Sequence, residues 1–294
     1  MNSFFEMRFF SPSCKEILTK QSQILNKQSD AILFGGIDYD SFILSKQTTG
    51  PQFRYDDSYL GSSNAYVGRG ARQYLPGTLE EVKQIGAALT KHNIKVTSYI
   101  GENGSETNFK KLSGTSHNIL HIATHGFYFN AHEALRQGNE NYIRQFDSTI
   151  RLDDNDLSRS GLLMSGANRV LEGHAIDNPF DDGILSSVEI SRLDFNRIDL
   201  VVLSACKSGL GEVTKDGVVG LQRGFKKAGA KSLLLSLWEV DDRATALLMK
   251  RFYDMVLTGT SYRTALRQAQ RYVQEYKNGM YSHYKYWAAW VIVD

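Results

Sequence analysis

Short apolar runs alternate with amphipathic helical stretches along most of this chain, and this alternation constrains the fold more than any other feature. Several runs are apolar at consecutive positions, which is typical of strands covered on both faces of a sheet. Strands that alternate with helices predict an α/β fold with a parallel, doubly wound sheet and right-handed crossovers. The six predicted strands span residues 31–35, 95–100, 118–123, 199–204, 232–237 and 287–292.

Helices are predicted between these strands. Thr78-Leu-Glu-Glu81 matches a capping box, and it predicts a helix that begins there and continues to about Lys91. Residues 241–257 carry apolar side chains at helical spacing, and Gly259 is a typical helix end. Further helices are predicted over residues 105–112, 218–228 and 261–276.

Three stretches do not follow the alternation. Residues 1–29 are polar and helix-prone, so they are predicted to be an N-terminal extension to a domain that spans residues 30–294. Residues 45–76 are rich in Gly, Ser, Tyr and Gln, and they predict a long loop or a small hairpin. Residues 128–182 contain few apolar side chains outside 161–164, and loops of such length are usually functional or mobile.

Composition narrows the classes of partner. The net charge of +2, without any stripe of Lys and Arg, gives no reason to expect a nucleic acid. The longest apolar runs are strand-sized, so no membrane partner is expected. Two cysteines make no disulfide framework, which predicts a cytoplasmic protein with reduced thiols. Cys14 lies in the polar extension without a nearby His and is interpreted as incidental. The seven His are scattered without zinc spacing, so no metal or other cofactor is expected.

Residues that suit nucleophilic chemistry follow three of the predicted strands. In open parallel sheets, ligands bind beyond the carboxyl ends of the strands. His125 follows the third strand and Cys206 follows the fourth. The fifth strand is followed by an acidic cluster that comprises Glu239, Asp241 and Asp242. The chain therefore places a His, a Cys and acidic side chains at one predicted sheet edge.

These residue types fit acyl transfer. A Cys206 thiolate can attack a carbonyl carbon while His125 takes up and later returns a proton. The resulting oxyanion needs backbone N–H donors. Gly126 and Cys206 are the predicted donors, since Gly126 carries no side chain that would block close approach. The acidic cluster would attract a basic side chain of a substrate.

Each element also has a structural interpretation. A Cys at a strand end is often a small buried hydrophobic residue. A His followed by Gly often belongs to a turn. Asp241 or Asp242 is a good N-cap candidate for the next helix, and this role is as well supported as substrate binding on the residues alone. His121 lies inside the third strand, four residues before His125, and is interpreted as structural.

Several motifs, in order, resemble the CHAT domain of caspase-like peptidases, relatives of separases, gingipains and clostripain. The resemblance covers roughly residues 30–294. The motifs are His121-Ile-Ala-Thr-His125-Gly-Phe, Asp182-Gly-Ile-Leu-Ser-Ser-Val-Glu-Ile190, Val201-Val-Leu-Ser-Ala-Cys206-Lys-Ser-Gly209 and Ser236-Leu-Trp-Glu-Val-Asp-Asp242.

The resemblance implies a caspase-like three-layer sandwich with a mainly parallel six-stranded sheet. It implies a dyad of His125 and Cys206 that needs no third carboxylate. It further implies that Asp242, in the Trp-x-Val-x-Asp motif, lies in the S1 pocket and selects Arg or Lys. CHAT domains commonly follow tetratricopeptide repeats, and this chain contains none.

The expected function is a cysteine endopeptidase that cuts a protein substrate after a basic residue. The resemblance points to bacterial defence or regulated cell death, with a gasdermin-like pore-former or another defence effector as substrate and a possible regulatory partner. The alternative is a catalytically silent interaction or adaptor module. A flavodoxin-like nucleotide binder and a serine hydrolase are disfavoured, because neither Gly-x-Gly-x-x-Gly nor Gly-x-Ser-x-Gly occurs. Self-cleavage is a further hypothesis, and its candidate sites are Arg136, Arg144, Arg151, Arg159 and Arg169.

Overall fold

A computed structural model describes residues 29–41, 71–128, 157, 160–174, 181–204, 213–214, 217–218, 220–238 and 240–294. The strands are β1 (Asp30–Ile37), β2 (Lys95–Gly101), β3 (Ile119–Ala123), β4 (Gly126–Tyr128), β5 (Ser160–Leu163), β6 (Ile184–Ser186), β7 (Leu200–Ser204), β8 (Val213–Thr214), β9 (Gly217–Val218), β10 (Ser232–Ser236) and β11 (Trp290–Val293). The α-helices are α1 (Pro76–Lys91), α2 (Glu106–Lys110), α3 (Ala167–Leu171), α4 (Ser187–Ile190), α5 (Leu221–Lys227), α6 (Asp242–Leu257) and α7 (Tyr262–Gly279). A short 3₁₀ helix spans Tyr284–Tyr286.

The central sheet has six strands in the order β11-β10-β7-β3-β1-β2. The pairs from β2 through β10 are parallel, and only β11 runs antiparallel to its neighbour β10. This arrangement confirms the mainly parallel six-stranded sheet that the alternating sequence pattern predicts. A small antiparallel sheet of β4, β5 and β6 is a second unit, and β8 pairs with β9.

Helices cover both faces of the central sheet, which gives the three layers of a caspase-like sandwich. Alternate side chains of β1 divide between two cores: Ala31 and Leu33 pack with α1, α6 and α7. Ile32 and Phe34 pack with α2 to α5 and the small sheet. Burial on both faces explains why β1, β3, β7 and β10 are apolar at nearly consecutive positions.

The helix after β10 forms as its sequence predicts. Asp241 is its N-cap, because the Asp241 carboxylate accepts hydrogen bonds from the backbone N–H groups of Arg243 and Ala244, each at 3.0 Å. Apolar residues at helical spacing, among them Leu248 and Phe252, are fully buried. The capping interpretation of Asp241 is therefore confirmed.

The predicted capping box at Thr78 is wrong. Helix α1 begins at Pro76, two residues earlier, and proline suits this position because it has no N–H to satisfy. The Thr78 hydroxyl instead accepts from Gly36 N at 2.9 Å and donates to the carbonyl of Leu75 at 2.7 Å. Glu81 is turned into the interior and is 7% exposed. Contacts with the sheet, rather than local capping, decide the roles of both side chains.

The prediction of one long loop over residues 128–182 is also corrected. Residues Ser160–Leu163 form β5, the central strand of the small sheet, and α3 follows it. The strand is short, and its hydrogen-bond partners β4 and β6 are distant in sequence, which is why local composition does not reveal it. Most of the predicted extension 1–29 and most of the stretch 45–76 lie outside the described residues.

In the part of the chain that the structure describes, no helix is both long enough and apolar enough to cross a membrane.

A buried ionic cluster links helix α2 to the segment 182–190. Lys110 Nζ lies 2.7 Å from Glu106 and 2.8 Å from Glu189. Glu189 also completes a capping box with Ser186 at the start of α4. Burial raises the pKa of Asp182 to about 7, and the negative charge of Glu189 is the second largest cause of this rise. Burial likewise raises the pKa of Glu106 well above its ordinary value. Three carboxyl groups thus share one lysine, and protonation relieves their repulsion.

Stability should therefore fall as the pH rises from about 4 to about 7, because the folded chain holds a proton on Asp182 that the unfolded chain releases. Replacement of Asp182 by Asn removes this titration and keeps an acceptor for the N–H of Ile184, which bonds Asp182 at 2.8 Å. We expect the melting temperature to drop by a few degrees between about pH 5 and pH 7.5 in the wild type, and by less in Asp182→Asn. If the melting temperatures of the two proteins changed with pH by the same amount, the proposed titration of Asp182 would be refuted.

Candidate active site

The three chemistry-bearing segments follow adjacent strands of the central sheet. Strand β7 lies between β3 and β10, and Ala123 is paired with Ser204 across the β3–β7 ladder. His125 lies two residues beyond Ala123, and Cys206 lies two residues beyond Ser204 in the sequence. Cys206 is outside the described residues. Ala123 and Ser204, which precede His125 and Cys206 by two residues each, thus lie side by side at the carboxyl edge of the sheet.

The imidazole of His125 is held by a backbone carbonyl. His125 Nε2 lies 2.9 Å from the carbonyl oxygen of Gln73. A carbonyl oxygen only accepts hydrogen bonds, so Nε2 donates its proton to Gln73, and in the neutral form of the ring Nδ1 then holds the lone pair. This contact selects the tautomer in which Nδ1 is the basic nitrogen.

A buried tyrosine supports the backbone of His125. The Tyr39 hydroxyl accepts from the N–H of His125 at 3.2 Å and lies 2.8 Å from Thr124 Oγ1. Thr124 Oγ1 donates its proton to the carbonyl of Leu163 at 2.6 Å, so Tyr39 donates to Thr124. The Tyr39 ring also lies against the imidazole, with 5.2 Å between ring centroids. The chain of hydrogen bonds therefore fixes the turn between β3 and β4, on which His125 lies.

Gly126 begins β4, opposite Leu162 of β5. The N–H of Leu163 donates to the carbonyl of His125 at 2.9 Å. Hydrogen bonds alternate along an antiparallel ladder, so the N–H of Gly126 points away from β5. The N–H of Gly126 thus belongs to the same turn that carries the imidazole of His125.

A pocket opens beside this edge, with about 530 Å³ of empty space when its open mouth is included. Two of its described lining residues are acidic, Glu81 and Asp242, and none is Lys or Arg. Asp242 is the exposed first residue of α6, and its carboxylate lies beside Gly77, a further lining residue. The pocket also borders Thr124, which follows β3, and Ser204, the last residue of β7. It therefore combines negative charge with proximity to the His125 turn.

The three residues of the predicted acidic cluster have different surroundings. Asp242 lines the pocket, whereas Asp241 uses one carboxylate oxygen to cap α6. Glu239 lies outside the described residues. Among the candidate self-cleavage sites, Arg169 lies in helix α3, and the other four are outside the described residues.

A buried polar chain behind the pocket was not found from the sequence. Tyr253 Oη lies 3.2 Å from His121 Nδ1, and His121 Nε2 lies 3.2 Å from Glu81 Oε1. Glu81 Oε2 accepts from the Ser204 hydroxyl at 3.0 Å. The structural interpretation of His121 is confirmed, since the side chain is fully buried. A glutamate next to Val82 on the apolar face of α1 was the available signal.

No group of three or more His, Cys, Asp or Glu side chains suited to a metal ion occurs in the described ranges.

Comparison with known proteins identifies the family. A family model described as the CHAT domain matches residues 8–294, nearly the whole chain. The chain belongs to the CHAT domain family. The match begins inside the segment predicted as an extension, so the boundary at residue 29 of this CHAT domain stays a prediction.

Two curated relatives share part of this CHAT domain. Tetratricopeptide repeat protein 28 of Homo sapiens is 32% identical over 124 residues, which is 42% of this chain and 5% of the relative. Tetratricopeptide repeat protein 28 of Mus musculus is 33% identical over 115 residues, 39% of this chain and 5% of the relative. The aligned stretch thus spans about a twentieth of the length of each relative.

Proposed function

We propose that this CHAT domain is a cysteine endopeptidase that cleaves a protein after Arg or Lys, with His125 and Cys206 as its dyad. The observation that carries the proposal is the acidic pocket beside the His125 turn. Its described lining contains two carboxylates, Glu81 and Asp242, and no Lys or Arg. A pocket with this charge favours a cationic side chain at the residue before the cut.

The reaction begins with a proton transfer from Cys206 Sγ to His125 Nδ1, the nitrogen that the Gln73 contact leaves with a lone pair. The thiolate attacks the substrate carbonyl carbon and forms a tetrahedral oxyanion. Collapse of this intermediate breaks the peptide bond, and His125 gives its proton to the leaving amine. A thioester remains on Cys206. Water then attacks the thioester, His125 takes up the water proton, and the new carboxyl terminus leaves as Cys206 is restored.

The oxyanion is stabilised by two backbone donors in this proposal, the N–H groups of Gly126 and Cys206. The Gly126 N–H points away from β5, so the ladder with β5 does not use it. Donors that are fixed before the reaction stabilise the charge that develops on the carbonyl oxygen.

Asp242 is the proposed anchor for the basic side chain, since it lines the pocket while Asp241 caps α6. Glu239, which follows Trp238, is assigned to the same subsite on the sequence alone. Asp241 is assigned to this subsite on the sequence alone, and its cap on α6 positions Asp242.

The natural substrate is proposed from the family resemblance. CHAT-like proteases act in bacterial defence and regulated cell death, so we propose a gasdermin-like pore-former or another defence effector, with a regulatory partner that controls access. A reduced nucleophilic thiol suits the cytoplasm.

A basic peptide with a thiol-reactive warhead tests the proposal against a silent adaptor module. An arginyl acyloxymethyl ketone should add one label to the wild-type chain, with peptide mapping at Cys206, and a matched aspartyl reagent should label far more slowly. His125→Ala should label at a much lower rate, because the thiol loses its base. An unlabelled wild-type chain would support the adaptor function instead.

A further inference from the structure

The acidic pocket has a carboxylate at its floor as well as at its mouth. Glu81 and Asp242 both line it. Glu81 is 7% exposed, whereas Asp242 belongs to the exposed class. The family resemblance assigns substrate selection to Asp242 and gives Glu81 no role.

Helix α1 relates the two carboxylates, because Gly77, which lies beside Asp242, is about one helical turn from Glu81. The carboxylate of Asp242 lies beside Gly77, since a Cβ placed on Gly77 would be 3.4 Å from Asp242 Oδ2. Gly77 and Glu81 are separated by four positions on α1, and such residues lie on the same face with about 5–6 Å between Cβ atoms. A side chain that enters past Asp242 and Gly77 therefore approaches Glu81.

Glu81 retains acceptor capacity for such a side chain. Its Oε2 accepts from Ser204. Its Oε1 lies 3.2 Å from His121 Nε2, yet among the described residues neither atom makes a hydrogen bond. A buried carboxylate oxygen without a donor is costly, and a charged donor from a ligand would satisfy it.

We propose that Glu81 is the floor of the S1 pocket, and that Glu81 and Asp242 together hold an arginine side chain in preference to lysine. This inference rests on the proposed peptidase function. It assigns the substrate class more narrowly and adds a specificity residue from α1 to those that follow β10.

Arginine fits two separated carboxylates better than lysine does. A guanidinium presents five N–H donors in a rigid plane, so one edge can bind the floor while another binds the mouth. A lysine ammonium is a compact point charge whose three donors meet at one nitrogen. Five hydroxyl side chains border the same pocket and can accept further N–H bonds; they belong to Thr78, Thr124, Ser204, Ser236 and Thr245.

The test is the ratio of kcat/KM for two peptides that differ only in arginine or lysine at the cleavage site. Glu81→Gln keeps the size of the side chain and an acceptor for Ser204. We expect it to lower the arginine-to-lysine ratio at least tenfold, mainly through slower arginyl cleavage. Alkylation of Cys206 by iodoacetamide, measured on the same variant, separates a change in the thiol from a change in the pocket, because that reagent is not a cation.

Glu80→Gln is the matched control, since Glu80 is the adjacent, exposed residue of α1 and accepts a hydrogen bond from Gln84 at 2.7 Å. It makes the same charge change outside the pocket and should preserve the ratio. An unchanged ratio in Glu81→Gln, or an equal change in both variants, would overturn the inference.

A ligand experiment on the wild type covers the case in which Glu81→Gln does not fold. Butylguanidine should inhibit cleavage at least tenfold more strongly than butylamine, and equal inhibition would contradict a two-carboxylate site. If the wild type cleaves neither basic peptide, the peptidase proposal itself fails. If the wild type cleaves both peptides and Glu81→Gln does not change the arginine-to-lysine ratio of kcat/KM, only the role of Glu81 in the S1 pocket fails.

Discussion

Cys206→Ala should lower kcat/KM for an arginyl peptide by about a thousandfold or more, the scale observed when a catalytic nucleophile is removed. Without the thiol no thioester forms, and the remaining groups can only polarise the carbonyl or orient water. The variant should still bind the peptide, because the acidic pocket is untouched. Initial rates with a fluorogenic arginyl peptide, together with a binding measurement, would separate the two effects.

Cys14→Ala is the matched control for this substitution. Cys14 is the second of the two cysteines and lies in the polar N-terminal stretch. Its replacement should leave the rate unchanged. Equal activity in wild type and Cys206→Ala would overturn the dyad, and a loss confined to Cys14→Ala would move the nucleophile to the other thiol.

Asp242→Asn should lower kcat/KM for basic substrates by about ten- to a hundredfold, which corresponds to about 1.4–2.7 kcal/mol in the activation barrier. The lower bound reflects the exposure of Asp242, because solvent screens an exposed charge pair. Cleavage of a matched norleucyl peptide should change little, since it does not use the charge. The loss should therefore appear as a lower ratio of kcat/KM for the lysyl peptide to kcat/KM for the norleucyl peptide.

A second carboxylate on the same helix controls for long-range electrostatics. Asp254 lies on α6, far along the helix from Asp242, and pairs with Lys250 at 2.9 Å on the surface. Asp254→Asn makes the same change in net charge and should leave the ratio as in the wild type. If Asp254→Asn reproduced the effect of Asp242→Asn, the protein's overall field rather than the pocket would select the substrate.

The fold follows from the sequence because strands buried on both faces must be apolar at consecutive positions. The runs that contain Leu33, Leu120, Val202 and Leu234 meet this condition, and all four side chains are fully buried. Chain order then limits the topology, because a parallel connection needs a crossover helix. Local patterns therefore suffice for the central sheet and its main helices.

Parts of the site could not be predicted, since they depend on contacts between distant segments. The imidazole of His125 is held by the backbone carbonyl of Gln73, and every residue type has such a carbonyl. The hydroxyl of Tyr39 reaches His125 from the end of β1, 86 residues away in sequence. The polar residues Thr78 and Glu81 have the spacing of a cap, but the sheet uses both. The residue types in this segment alone cannot distinguish a helix cap from these contacts with the sheet.

The most direct measurement is a cleavage profile over peptides that differ only in the residue before the scissile bond, with Cys206→Ala assayed in parallel. A His125–Cys206 dyad beside an acidic pocket predicts rapid cleavage after Arg, slower cleavage after Lys, and little after Leu or Asp. It also predicts that Cys206→Ala is inactive on every peptide. Preferred cleavage after Asp or Leu, or an active Cys206→Ala protein, would contradict the account.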